Sequence, residues 1–361
     1  MSDIKNILKQ FSRRKFMKYG ALTVGSSITA SSCNNRPSTD TENNSSASKN
    51  NSYSNLDQVT ASWLPIMQTT PFYVALEENL FEQEGIEIKS AKFEDPNKII
   101  NSLISGRADF GPPGAAAGIA VLAESKSPNS LKVFGLQGGK GEGKNAQFIN
   151  DTLLVPNNSN KGSFKDLKGS RIGTVPGIQW RTITRYIVRR NNLDPDQDVE
   201  VVDLAPGVQL TSVASGSVDA TLSLEPVGSI AKATGDGKRA MINPCETFIS
   251  NPFCSGAAVL TTRFIEERPD VARRVVRVID KATQLANQNF DNYRFLLPKY
   301  TAIDKDQAEF VAQPYLRSFK DLNDTDIRSY QRFINVFREE NVLKKGMSAE
   351  SMLLDSSSLQ V

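Results

Sequence analysis

Two nine-residue stretches of this 361-residue chain are built alike. Ser102 to Phe110 reads SLISGRADF; Ser212 to Ala220, 110 residues later, reads SVASGSVDA, with Ser, Ser, Gly and Asp in register. Each has the form of a helix stopped at Gly and followed by a short buried strand that Asp opens. A repeat about one domain's length apart asks for two α/β halves of similar build. In the first half the pattern gives strand Val59–Trp63, a helix over Phe72–Phe81, strand Ile86–Phe93 and a helix started by Asp95-Pro96. Strand Asp109–Gly111, ended by Pro112 and Pro113, helix Gly114–Glu124 and strand Leu131–Leu136 complete it. In the second half strands Arg171–Thr174, Val199–Asp203 and Ala220–Leu224 alternate with helices Gln179–Asn191 and Gln209–Ser215. Strand Ala257–Thr261 follows, then helices over Pro269–Asn289, Lys305–Ala312 and Thr325–Glu340. Strands alternating with helices predict βαβ units and parallel sheets.

The formal charge of +3 is misleading. Lys5, Lys9, Arg13, Arg14, Lys15 and Lys18 against Asp3 give residues 1–32 a charge of +5, so the remainder carries −2 and nothing points to nucleic acid. Ser12 to Lys18 (SRRKFMK) sets twin arginines before an apolar run of small residues, Tyr19–Ser32, too short to span a bilayer. The segment resembles a twin-arginine export signal. Cys33 follows Ala30-Ser31-Ser32 as a lipoprotein processing site would have it, although Ala30 stands where such sites carry Leu. Residues 34–55, Ser/Asn-rich and almost without apolar side chains, have the composition of a disordered tether. Cys245 and Cys254, nine residues apart in loop-like sequence, are then in a compartment where a disulfide can persist.

In an open α/β sheet, ligands bind beyond the carboxyl ends of the strands, where loops enter helices. That rule selects four loops. Trp63–Phe72 offers an aromatic face (Trp63, Phe72), the polar Gln68, Thr69 and Thr70, and a helix start. Pro112–Ala115 offers backbone N–H groups around Pro113 and Gly114. Val175–Arg181 offers Gly177, Gln179, Trp180 and Arg181 at another helix start, and Glu225–Val227 offers the carboxylate of Glu225. Gln137, at the end of a strand, is a fifth candidate. Helix starts and Arg181 favour a small anion, a nitrate, sulfonate or taurine-like solute, over the cationic or polar ligand that the carboxylate of Glu225 would suit. Gly138 to Asn145 (GGKGEGKN) has the glycine spacing of a phosphate cradle, but Asn145 replaces the Ser or Thr that would hold Mg²⁺. No helix follows it either, so it reads as a mobile loop at a cleft edge.

These motifs in order carry a resemblance. Trp63, Pro71 to Glu78 (PFYVALEE), Leu80-Phe81, Glu84-Gly85-Ile86 and Ser105 to Gly111 (SGRADFG) are followed in order by Asp166 to Gly169, Ile172-Gly173, Pro176-Gly177, Gly216 to Ala220 and Glu225-Pro226. Together they resemble the nitrate/sulfonate/taurine and thiamine-precursor class of ABC-transporter solute-binding proteins, over roughly residues 57–290. The resemblance implies an α/β, two-lobe periplasmic binding protein (type II-like) with two crossover segments and a ligand cleft between the lobes. The crossings would lie near Val155–Lys161 and Asn243–Gly256. The chain would then divide into a signal (1–33), a tether (34–55), lobe one (56–156 plus 257–361) and lobe two (157–256). It further implies a monomer that delivers a small-molecule ligand to an ABC permease and ATPase, held to the membrane by a lipid anchor. An enzyme on the same scaffold and a ligand-sensing receptor partner are the alternatives.

The chain has no His. That removes Ser-His-Asp and Cys-His hydrolases, H-E-x-x-H metalloproteases and His-ligated metals, and no pair of carboxylates stands out for general acid/base work. No catalytic residue, cofactor or metal is expected.

Overall fold

The computed structural model describes residues 56–355; the expected export signal, Cys33 and the expected tether lie outside the described residues. The strands are β1 (Asp57–Trp63), β2 (Ile86–Lys92), β3 (Phe110–Ala116), β4 (Leu131–Gly139), β5 (Asp151–Val155), β6 (Ser170–Thr174), β7 (Val199–Asp203), β8 (Ala220–Leu224), β9 (Lys238–Ile242), β10 (Phe253–Thr261) and β11 (Tyr315–Arg317). They form two sheets, β11-β4-β10-β3-β1-β2 and β7-β6-β8-β5-β9.

From one edge inward the sheets share one plan. β2-β1-β3 and β7-β6-β8 are parallel trios, and each is followed by a strand antiparallel to both its neighbours, β10 in one sheet and β5 in the other. The chain passes from the first sheet to the second between Gly139 and Asp151 and returns between Ile242 and Phe253. Each antiparallel strand is therefore the first one laid down after a crossing.

The nine-residue repeat explains how the trios are joined. Gly106 (φ +71°) and Gly216 (φ +72°) both stop their helices in the left-handed region that glycine enters at little cost. Just beyond, Asp109 Oδ2 accepts from Thr60 N–H at 2.8 Å, and Asp219 Oδ2 accepts from Arg171 N–H at 2.9 Å. The same two aspartates donate their own N–H to the carbonyls of Thr60 and Arg171, at 2.9 and 3.0 Å. Each Asp thus ties the start of the third strand to the first strand.

Several expectations need correction. β3 runs through Pro112 and Pro113 to Ala116, so the following helix is Ala117–Lys126 rather than Gly114–Glu124. Prolines have no N–H for a ladder. Here β1 pairs with β3 only at Ala61–Phe110, and the β10 ladder shifts register between Ala257 and Val259, opposite the prolines. The first crossing precedes the expected Val155–Lys161: β5 pairs with β8 and β9, so 151–156 belong with the second sheet and 253–256 with the first. A short apolar strand does not declare its sheet; its antiparallel partners decide. Gly138 and Gly139 are the end of β4, not a mobile loop, and a Cβ at Gly138 would collide with the Phe253 backbone. Helix Val227–Thr234, β9 and helix Pro244–Phe248 occupy what read as loop. Cys245 and Cys254 are buried free thiols. The first lies in the first turn of helix Pro244–Phe248, its N–H donating to Asp151 Oδ1 at 3.0 Å, while the second lies in β10 opposite Gly138; the possible bridge between them is not formed.

The C-terminal helices return to the first sheet. Helix Pro269–Gln288 buries Val271, Val275, Ile279, Ala282 and Ala286 on one face, at the three-to-four spacing of an amphipathic helix packed against Thr70–Glu77. Helix Asp324–Glu339 lies over β10 and helix Ala117–Lys126 through Phe333 and Phe337, and also touches helix Ile178–Arg190 of the second sheet.

Candidate functional site

The loops that leave the strands at their carboxyl ends meet in one cavity of about 140 Å³. From the first sheet come Leu64, Ile66 and Gln68 after β1, Glu94, Asp95 and Pro96 after β2, Gly114 and Ala116 of β3, and Ser255 and Gly256 of β10. From the second come Val175 and Pro176 after β6, Gln179 and Trp180 on the next helix, Ala205 and Pro206 after β7, and Leu224 of β8. One side chain spans both. Gln179, on the second sheet's helix Ile178–Arg190, accepts at Oε1 from Gly118 N–H (2.8 Å) and donates from Nε2 to the Ser255 carbonyl (3.0 Å). Both of those groups belong to elements of the first sheet.

Of the residues chosen from sequence, the fold brings Gln68, Gly114, Gln179 and Trp180 to this cavity. The others take different places. Trp63 and Phe72 are in an aromatic cluster, Trp63 standing edge-on to Tyr73 and Tyr300 at 5.6 and 6.2 Å between centroids. Thr69 and Thr70 spend their hydroxyls on the carbonyls of Leu64 and Met67, at 2.9 and 2.6 Å. Pro113 is buried within β3. Gln137, buried in β4, supports the site from behind by accepting from Gly114 N–H at 3.0 Å. Gly177 holds its turn at φ +103°, a backbone conformation that L side chains rarely adopt, beside Asn97 of helix Pro96–Ile104. Arg181 pairs with Asp203 at 2.9 Å. Glu225 pairs with Arg239 and accepts from Ser229 N–H at 3.0 Å. Sequence reasoning missed Glu94, Asp95 and Ser255 at the cavity; Asp95-Pro96, a helix start beyond a strand, carried the signal that could have found the first two.

A two-sheet α/β architecture with a cavity beyond both sets of parallel strands can be compared with known proteins. Residues 66–292, more than half of the chain, match the family model described as "NMT1/THI5 like". The chain belongs to this family. Relatives include the "Putative aliphatic sulfonates-binding protein" of Bacillus subtilis (strain 168), 27% identical over 248 residues that cover 67% of this chain and 70% of the relative. Another is the "Nitrate/nitrite binding protein NrtA" of Synechococcus elongatus, 25% identical over 61% of this chain and 54% of the relative. Among solved structures, the periplasmic aliphatic sulphonate binding protein SsuA of Escherichia coli superposes with a TM-score of 0.66 at 15% identity, covering 83% of this chain and 92% of that one. Nitrate-binding NrtA of Synechocystis PCC 6803 gives 0.64 at 10% identity, over 84% and 88%. The fold is that of periplasmic binding proteins.

In this NMT1/THI5-like chain the cavity is mostly apolar, and no Lys or Arg lines it. Three helix starts that could receive an anion already hold one of the chain's own oxygens. Asp95 Oδ1 takes Asn97 N–H at 2.8 Å, Gln179 takes Gly118 N–H, and Glu225 takes Ser229 N–H. Helices Ile178–Arg190 and Pro206–Ala214 have no side-chain cap. Behind the cavity a buried polar chain runs through the first crossing. Gln68 Nε2 donates to Asn150 Oδ1 (2.6 Å), and Asn150 Nδ2 donates to Asp151 Oδ2 (3.0 Å). Burial raises the Asp151 carboxyl above its ordinary value against the hydrogen bond from Cys245. Close by, burial first and then the charges of Asp151 and Glu142 push Glu246 up to about 10. Among the described residues no group of His, Cys, Asp and Glu has the arrangement of a metal site.

Proposed function

We propose that this chain is the solute-binding component of an ABC importer, working outside the cytoplasmic membrane. Membership of the NMT1/THI5-like family and relatives named as binding proteins support the class. The observation that carries the mechanism is the cavity lined jointly by loops of both sheets and spanned by Gln179. A solute held there touches both lobes at once, so it binds the closed arrangement better than an open one and shifts the population toward it. Lobe one is the six-stranded sheet with the C-terminal helices, lobe two the five-stranded sheet, and the segments between Gly139 and Asp151 and between Ile242 and Phe253 are the hinge. The permease and ATPase read the closed form. The monomer carries out no chemistry on its solute.

Export and anchoring belong to the same reading. Arg13-Arg14 address the chain to the twin-arginine route, Cys33 receives the lipid, and residues 34–55 tether the folded part to the membrane. Replacing Arg13 and Arg14 by Lys is expected to hold the protein in the cytoplasm, and Cys33→Ser to release it in soluble form; fractionation reads both.

The binding claim is tested by a thermal-shift screen of small solutes. A specific ligand at a hundred times its Kd adds about 2.7 kcal/mol of stability, a rise of several degrees. If no compound in a broad metabolite panel raises the melting temperature, the solute-binding reading is wrong.

A further inference from the structure

We propose that the chain has a second ligand site, at the β9 and β11 edges of the two sheets and apart from the cleft, which takes an aromatic carboxylate between Lys232, Arg239 and Phe310. A cavity of about 480 Å³ lies there. Its walls are Ser229, Lys232 and Arg239 from the second sheet's half, Phe310 and Ala312 from the C-terminal segment, and Ile149 from the first crossing. None of these residues lines the cleft cavity. The cleft loops follow the parallel trios, whereas Arg239 is in β9, the edge strand on the other side of the five-stranded sheet, and Ala312 shortly precedes β11, the corresponding edge of the six-stranded one. The walls are tied together at the crossing. Ile149 N–H donates to the Gln313 carbonyl at 3.2 Å, and Glu225 N–H to that of Asn150 at 2.8 Å.

Charge gives the sign of the ligand. Lys232 is exposed and, among the described residues, makes neither an ion pair nor a hydrogen bond. Arg239 is held in place: its Nη2 donates to Glu225 and to Ser229 Oγ (2.8 Å), with the Glu225 side chain fully buried. Its Nη1 has no partner and is not a buried atom, so it remains a donor for something outside the protein. A guanidinium already fixed by its neighbours loses little freedom when a ligand arrives. Glu225 balances Arg239, no Asp or Glu lines the cavity, and Lys232 is left as the uncompensated charge. The opposite wall sets the rest of the ligand. Phe310 is 51% exposed and stands with Ile149 and Ala312 as an apolar face. A carboxylate can take charge-assisted hydrogen bonds from Lys232 and Arg239 while its ring lies against Phe310. A bare anion would leave that face in water, and a solvated lysine alone holds an ion weakly.

The test is titration calorimetry and hydrogen–deuterium exchange on the Cys33→Ser chain. The probe is 1-naphthoate, compared with naphthalene-1-methanol, naphthalene-1-methylamine and acetate. The expected result is saturable binding of naphthoate, about tenfold or more tighter than any of the other three, with slowed exchange in residues 227–234 and 309–313. Lys232→Gln and Phe310→Ser alter exposed side chains outside the cleft, and each is expected to weaken naphthoate about three- to tenfold. Three results overturn the proposal: no saturable binding of naphthoate, binding no tighter than that of its neutral or cationic counterpart, or slowed exchange confined to the cleft loops 64–69 and 175–181. Unchanged affinity in both variants also overturns it. The solute-binding reading of the cleft is decided separately, by the metabolite screen.

Discussion

At the scale of single residues, the two repeat aspartates act as strand ties. Asp109→Ala and Asp219→Ala each remove a charge-assisted bond to a backbone N–H. Both carboxylates are partly exposed, so a loss of about 1–2 kcal/mol is expected for Asp109 and less for Asp219. Urea unfolding of the single and double variants checks this, with additive losses for sites in different sheets. Glu246 gives a prediction in pH. Its ordinary carboxyl value of 4.5 is raised to about 10 in the folded protein. Between those values the unfolded chain has released the proton that the folded one retains, so this group makes stability fall as pH rises, by up to about 1.4 kcal/mol per pH unit. Glu246→Gln removes the slope. Its melting temperature, measured from pH 5 to pH 9, is expected to gain progressively on the unaltered chain.

At the scale of elements, helix Ile178–Arg190 is the piece that joins the two sheets' functions. Gln179 in its first turn satisfies a helix N–H and a strand carbonyl of the other sheet. Gln179→Ala leaves both groups to water and is expected to open the lobes, seen as a larger radius in small-angle scattering. Solute affinity is expected to drop about tenfold, because part of the closed state's stabilisation is lost. Melting temperature without solute should change little, since the variant leaves each sheet's own core intact. If scattering and affinity are both unchanged, Gln179 is not a latch.

At the scale of the molecule, no disulfide among the described residues holds the lobes together. Burial pushes the Cys245 and Cys254 thiols well above their ordinary value, Asp151 adding to the effect at Cys245 and Asp326 at Cys254. In a Cys33→Ser chain both are expected to be silent to a thiol reagent until global unfolding, and reductant should leave the melting temperature unchanged. Cohesion comes instead from packing. Helix Asp324–Glu339 reaches both halves, with Phe337 against Gly118 in the first, Arg332 on the Tyr186 hydroxyl in the second, and Arg189 paired to Glu340 just beyond the helix.

Much of this was written in the sequence, because local rules act locally. β7 and β8 fall where alternation placed them, Asp95-Pro96 starts its helix, and the repeat announced two halves of one plan. Helix Val227–Thr234 and β9 escaped because Gly, Ser and Thr dilute the helix pattern and Lys238-Arg239 the strand pattern. The twin arginines and Cys33 are readable in sequence alone, outside the described residues. What only the tertiary structure decided is partnership. Sequence shows that Arg181 and Glu225 are charged and that Gln68 is polar; it does not show that Asp203 and Arg239 claim the first two and leave the Gln68 oxygen unclaimed. Whether a polar group is free for a ligand depends on which neighbours the fold brings within hydrogen-bond reach, and those neighbours come from distant parts of the chain.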